Sequence, residues 1–99
     1  MDAAVAALGA LAQENRLALF RLLVQTGEGG LSAGTLANAL GIPSSSLSFH
    51  LAQLMKAGLI KQERQSRSLI YSADYAAMDD LIDYLTENCR GPKRTDTLA

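Results

Sequence analysis

The residues with the clearest capacity for chemistry lie at positions 44–56, in the segment SSSLSFHLAQLMK. Leu47, Leu51, Leu54 and Met55 recur there at helical spacing, which predicts a helix with one buried apolar face. The other positions supply hydroxyls, an imidazole, an amide and an ammonium, but no carboxylate. Such groups form hydrogen bonds with the phosphates and base edges of a DNA groove. The residues of this helix predicted to contact DNA are Ser44, Ser45, Ser46, Ser48, Phe49, His50, Gln53 and Lys56.

The serines at the start of this helix have two interpretations. Ser44 and Ser45, beside the free N–H groups of the first turn, are predicted to hold a phosphate. Ser46, Phe49, His50 and Gln53 are better placed to reach base edges. The alternative is that the serines only cap the helix. Capping explains one serine well, but it does not explain four within five positions, because serine is a mediocre residue inside a helix.

A shorter helix is predicted immediately before this segment. Ser32 is a natural N-cap, Leu36 and Leu40 give the helix an apolar face, and Gly41 ends it. Pro43 fixes the chain where the second helix begins. Two helices around such a tight turn form a helix–turn–helix, whose second helix enters a DNA groove.

Two short strands, residues 59–64 and 68–73, are predicted after the helix–turn–helix, with the polar residues 65–67 as their connection. A hairpin in this place is a wing. Arg64 and Arg67 lie near its tip. Exposed arginines are usually only solvated, but this position favours contact with phosphate or the minor groove.

Helices are also predicted at both ends of the chain, around a further helix at residues 14–25. Their apolar residues are too many to be buried in so small a monomer, so we predict a two-fold dimer. The predicted interface residues are Val5, Leu8, Leu11, Met78, Leu81, Ile82 and Leu85. The predicted fold is mainly α with a small β-hairpin wing, with about five helices and two strands. Residues 1–92 form the domain and residues 93–99 a flexible tail.

Composition limits the class of protein. The 99 residues suit one domain, and 48% of them are hydrophobic. The net charge is only −1, but residues 42–73 contain four bases and one acid, whereas residues 74–88 contain five acids and no base. This polarised surface fits a local basic contact with DNA. A single cysteine, no apolar run of about 20 residues and no basic leader predict a cytoplasmic domain without a membrane segment.

The segment SAGTLANALGIPSSSLSFHLAQLMKAGLIKQERQSRSLIY, preceded by LAQENRLALFRLL, resembles the ArsR (ArsR/SmtB) family of winged-helix repressors. The residues that match the family pattern are Ser32, Leu36, Ala37, Leu40, Gly41, Ser45, Ser48, His50, Leu51, Leu54, Ala57, Gly58 and Leu59. The resemblance implies a homodimer joined through its first and fifth helices, a palindromic operator and release by an inducer. Phe49 stands where relatives commonly have a polar residue, which leaves the base preference open.

The metal sites of that family lack their usual ligands in this chain. Residues 31–36 contain no thiol, and the fifth helix has Asp79, Asp80 and Asp83 without a histidine. Arsenic-responsive members end in a TENC-like segment with a pair of adjacent cysteines, but here Cys89 is followed by Arg90. We therefore expect no metal and no cofactor. Cys89 is either an ordinary residue or a single reactive thiol, and the inducer stays unknown.

An enzyme is not predicted, because the sequence has no glycine-rich phosphate loop, no set of histidine, acid and nucleophile, and no cluster of metal ligands. Two alternatives to an ordinary repressor stay open. One is a thiol-, redox- or arsenical-responsive repressor acting through Cys89. The other is a winged-helix module for protein interaction, for which Phe49 is the one indication.

Overall fold

The computed structural model describes residues 2–87, which form five helices and a three-stranded antiparallel sheet. The elements are α1 (Asp2–Leu11), α2 (Glu14–Thr26), β1 (Leu31–Ser32), α3 (Ala33–Leu40), α4 (Ser44–Lys56), β2 (Ile60–Gln65), β3 (Ser68–Ala73) and α5 (Tyr75–Thr86). The predicted winged helix-turn-helix is confirmed. The predicted tail, residues 93–99, lies outside the described residues.

The helix ends follow local side-chain chemistry. The Ser32 side chain accepts a hydrogen bond from the backbone N–H of Thr35 at 3.3 Å and begins α3. Gly41 ends α3 in the left-handed conformation, at φ 67°, which glycine adopts without steric cost. Asp74 accepts from the backbone N–H of Ala77 at 3.0 Å and begins α5. The predicted cap of α3 is therefore confirmed, and Asp74 caps α5 in the same way.

The sheet contains one strand more than the two predicted. Its order is β1–β3–β2, and Leu31 of β1 pairs with Tyr71 of β3. A two-residue strand is too short for an alternating pattern to reveal it. Gly30 precedes this strand at φ 71°, and a Cβ there would overlap the carbonyl oxygen of Tyr71. The short strand thus depends on a glycine beside it.

The hydrophobic core lies where α2, α3, α4 and the sheet meet. Its fully buried side chains are Leu19, Leu23, Leu36, Leu47, Leu54 and Leu59. Burying a leucine stabilises a fold by roughly 1.5–3 kcal/mol, so these residues fix which face of α4 points inward. The opposite face of α4 is left exposed beside the wing.

No helix among residues 2–87 combines the length and the hydropathy needed to cross a bilayer.

Candidate nucleic-acid interface

The outer face of α4 carries most of the predicted DNA contacts. Ser44, Ser45, Ser46, Ser48 and Lys56 are all exposed. No carboxylate lies anywhere on the helix. Hydroxyls and an ammonium without a nearby acid can approach the phosphate backbone without electrostatic repulsion. This face is therefore chemically suited to a DNA groove.

The start of α4 favours a bound phosphate for a second reason. Pro43 occupies the N-cap position, and no side chain there accepts a hydrogen bond from the first turn. The N–H groups of the first turn of a helix have no partner within the helix, and they carry the positive end of its dipole. Ser44 and Ser45 stand beside these donors. Their predicted contact with a phosphate is compatible with this geometry.

Two uncharged residues complete the exposed face. Phe49 is 57% exposed, and its ring contacts the edge of the His50 ring, with centroids 5.7 Å apart. Ala52 is also exposed, about one turn from Ser48. Apolar side chains can contact the methyl group of thymine in the major groove. Ala52 is not among the residues predicted to contact DNA, because an alanine side chain has no polar atom that would indicate binding.

Gln53 is half-buried at the edge of this face, beside Arg16 and Lys56. Gln53 also helps to line a cleft between α4 and α1. A base contact from Gln53 therefore stays a prediction.

His50 does not lie on the exposed face, and its predicted contact with DNA stays untested. Its side chain is only 8% exposed. It lies three positions after Leu47 and four before Leu54, so helical geometry places it in the buried stripe. Its Nδ1 atom lies 3.3 Å from Nη1 of Arg16 in α2. His50 therefore packs against the protein interior.

The contact with Arg16 fixes the protonation state of His50. An arginine is always a donor, so the Nδ1 atom that faces it must be the acceptor, and the proton of the neutral ring lies on Nε2. Burial, and after it the positive charge of Arg16, lower the pKa of His50 below its ordinary value of 6.5. His50 is consequently neutral at pH 7.

Arg16 is the structural residue that the sequence did not reveal. Its Nε atom donates to the carbonyl oxygen of Ala10 at 2.6 Å, near the end of α1. Its backbone N–H donates to the side chain of Gln13, which caps α2. Arg16 thus links α1 and α2 to the recognition helix α4. The pairing spans 34 residues, and no local pattern predicts it.

The wing extends the basic surface. All residues of β2 after Ile60 are exposed, and Arg64 pairs with Leu69 across the hairpin. The turn consists of Ser66, at φ 62°, and Arg67. Both Arg64 and Arg67 are exposed, as the wing prediction requires. Their contact with phosphate or the minor groove stays a prediction.

The predicted dimer residues divide into two groups. Val5 and Leu8 of α1, with Ile82 and Leu85 of α5, are between 43% and 62% exposed. We call these four residues the terminal apolar patch. In contrast, Leu11, Met78 and Leu81 are half-buried and pack against the core. The exposed group is the part of the prediction that a second copy would cover.

Two further sequence predictions concern metal and thiol chemistry. Within residues 2–87, no three histidine, cysteine, aspartate or glutamate side chains come together as metal ligands. Asp79, Asp80 and Asp83 are exposed along α5. Cys89, the candidate thiol sensor, lies outside the described residues.

The helix–turn–helix, the carboxylate-free recognition helix and the arginine-bearing wing define a winged-helix DNA-binding protein. The family model of the helix-turn-helix domain matches residues 11–63, more than half of the chain. The chain belongs to the ArsR family of winged helix-turn-helix transcriptional regulators, as its relatives show. It is a DNA-binding transcriptional regulator and not an enzyme.

Three similar proteins support this family assignment. The HTH-type transcriptional regulator YgaV of Escherichia coli K12 is 33% identical over 81 residues, which cover 82% of this chain and 80% of YgaV. The transcriptional activator HlyU of Vibrio cholerae is 32% identical over 82 residues, 83% of this chain and 73% of HlyU. The solved ArsR-like transcriptional regulator from Rhodococcus sp. RHA1 superposes with a TM-score of 0.76 at 25% identity, covering 85% of this chain and 76% of that one.

Proposed function

We propose that this regulator is a cytoplasmic, homodimeric repressor that binds an inverted-repeat operator and is released by an inducer. The observation that carries the proposal is the exposed face of α4, on which hydroxyls and Lys56 lie around Phe49 without any carboxylate. That face has no structural role in the core. Binding of DNA would account for the composition of this face.

Dimer formation is supported by the terminal apolar patch. Its four large side chains come from the two ends of the chain, and α1 and α5 contact each other in one subunit. Exposed apolar surface of this kind commonly marks a protein interface. A second copy placed by a two-fold axis would cover the same patch on both subunits.

The contacts with DNA follow from the position of each side chain. Ser44, Ser45 and Lys56 would hold phosphates, which sets the register of α4 in the groove. Ser46 would reach a base edge, and Phe49 would contact a thymine methyl group. On the wing, Arg64 and Arg67 would contact phosphate or the minor groove.

Two recognition helices related by a two-fold axis imply an operator with the same symmetry. Its half-sites should be centred about 34–36 Å apart, so that both helices enter the same side of the duplex. The direction of regulation is a separate question, because HlyU is named as an activator. A reporter gene placed behind the selected operator would distinguish repression from activation.

The test is a selection of bound sequences from a random duplex library, followed by anisotropy titration of the winners. We expect an imperfect inverted repeat, bound with one dimer per duplex and with at least a thousandfold preference over random DNA. Selection of sites without two-fold symmetry, or equal binding of selected and random duplexes, would contradict the proposal.

A further inference from the structure

A polar cleft of about 320 Å³ lies between α1 and the C-terminal half of α4. Arg16, Gln53 and Lys56 supply its polar side chains. Ala6, Gly9 and Ala10 of α1 form the opposite wall, where short side chains leave room for a ligand. The cleft borders the outer face described above and shares Lys56 with it.

The charge of the cleft is not balanced. Two cations from different helices converge on it, and no carboxylate lines it, although the whole chain has ten acidic and nine basic residues. The half-buried amide of Gln53 adds a further donor. Such an arrangement attracts an anion, because a partly enclosed site strengthens Coulomb interaction over its value in bulk water.

Arg16 is held in place before any ligand arrives. Its Nε–H is used by Ala10 and one N–H of Nη1 by His50. A guanidinium has five N–H donors, and within residues 2–87 the other three make no hydrogen bond to the protein, so they can donate to an oxyanion. A guanidinium fixed by its neighbours loses little conformational entropy on binding, and it matches phosphate geometry with paired donors.

Leu8 of the terminal apolar patch points away from the cleft. Leu8 is two residues from both Ala6 and Ala10, which is about 200° around an α-helix. The exposed side of Leu8 and the wall of the cleft are therefore on nearly opposite faces of α1. Val5, the other α1 residue of the patch, lies four positions before Gly9, so a partner on the patch would reach the edge of the cleft.

We propose that this cleft binds a phosphate group between Arg16 and Lys56, with Gln53 as an additional donor. The inference deepens the proposed function, since it places a second anion contact beside the recognition helix. The phosphate comes either from the DNA backbone or from a free phosphorylated solute. Both sources require the same donors, and experiment separates them.

The test is a titration of the ¹⁵N-labelled full-length protein with inorganic phosphate at constant ionic strength, followed by NMR. We expect saturable shifts of the Gly9 and Gln53 amides and of the Arg16 Nε–H. Lys56→Met, which replaces an exposed side chain, should weaken phosphate binding by about fivefold to tenfold through loss of a charge-assisted contact. Lys61→Met, an equally exposed change on β2, is the matched control and should leave it unchanged.

The same titration with a saturating random 20-base-pair duplex identifies the source. If duplex binding shifts the same signals and suppresses those of phosphate, the cleft holds a DNA phosphate. If phosphate still binds to the duplex complex, the cleft takes a free solute. Absence of saturable shifts at these positions, or equal losses in Lys56→Met and Lys61→Met, would overturn the inference. Duplex binding without any such shift would leave the proposed function standing and remove only the cleft.

Discussion

The Nη1 atom of Arg16 lies 3.3 Å from Nδ1 of His50, so a half-buried cation on α2 donates to a buried imidazole on the recognition helix. The same guanidinium donates through Nε to Ala10 of α1 at 2.6 Å. The three helices therefore share one polar link. Any change at His50 or Arg16 should alter how α4 sits against α1 and α2.

The first prediction concerns pH. Because the pKa of His50 is lowered in the folded protein, the unfolded chain binds more protons below pH 6.5. The stabilisation is thus complete above this pH and is lost as the pH falls from 6.5 toward the lower folded pKa. We expect the Tm to fall more steeply between pH 7.5 and 5.5 in the wild type than in His50→Asn, which keeps an acceptor but does not titrate. Parallel Tm profiles would contradict this.

The second prediction concerns Arg16. Arg16→Met removes donors from the Ala10 carbonyl and from His50, and it should lower the free energy of unfolding by about 1–2 kcal/mol. Arg21→Met, an exposed change on the same helix, is the control and should cost less than about 0.5 kcal/mol. Chemical denaturation measures both values. Equal effects of the two substitutions would show that the polar link contributes nothing.

His50 and Arg16 also show which features of the fold cannot be predicted from the sequence alone. The leucine stripe of α4, the caps Ser32 and Asp74, and the hairpin were all predictable, because each depends on residues close together in the chain. The resemblance assigns His50 to the DNA-facing side of α4, although its spacing from Leu47 and Leu54 puts it inside. Arg16 provides a hydrogen-bond partner for the buried ring of His50. Because Arg16 is 34 residues away in the chain, no local sequence pattern indicates this contact.

The predicted DNA contacts divide in the same way. The exposure of the serines and of Arg64 and Arg67 followed from helix and hairpin geometry. The strand β1, two residues long, and the cleft beside Gln53 arise from packing between distant elements. The sequence contains these features, but their detection requires the tertiary structure.

The third prediction concerns assembly. Leu85→Asp places a charge in the terminal apolar patch and should convert a dimer to monomers, because an unpaired carboxylate at an interface is costly to desolvate. Leu69→Asp on the wing, outside the patch, is the control and should stay dimeric. Light scattering at micromolar concentration distinguishes the two states. A monomeric wild type would refute the dimer.

The fourth prediction separates affinity from specificity. Arg67→Ala should weaken binding to all duplexes and reduce the salt dependence by about one unit if the side chain contacts a phosphate. Ser46→Ala, a change at an exposed side chain proposed to reach a base edge, should instead alter the preference among operators. Anisotropy titrations at several salt concentrations test both variants. The same loss on selected and random DNA for each variant would show that this division of roles is wrong.

The most direct test of the proposed DNA-binding face is Ser48→Glu, which puts a carboxylate on the exposed surface of α4 without touching the core. Ala18→Glu adds the same charge to the exposed side of α2 and serves as its control. The measurement is the affinity of each variant for the selected operator at one salt concentration. We expect a loss of at least about 30-fold for Ser48→Glu and less than about threefold for Ala18→Glu, with both Tm values near that of the wild type. Operator binding by folded Ser48→Glu at wild-type affinity would contradict a DNA-reading role for this face.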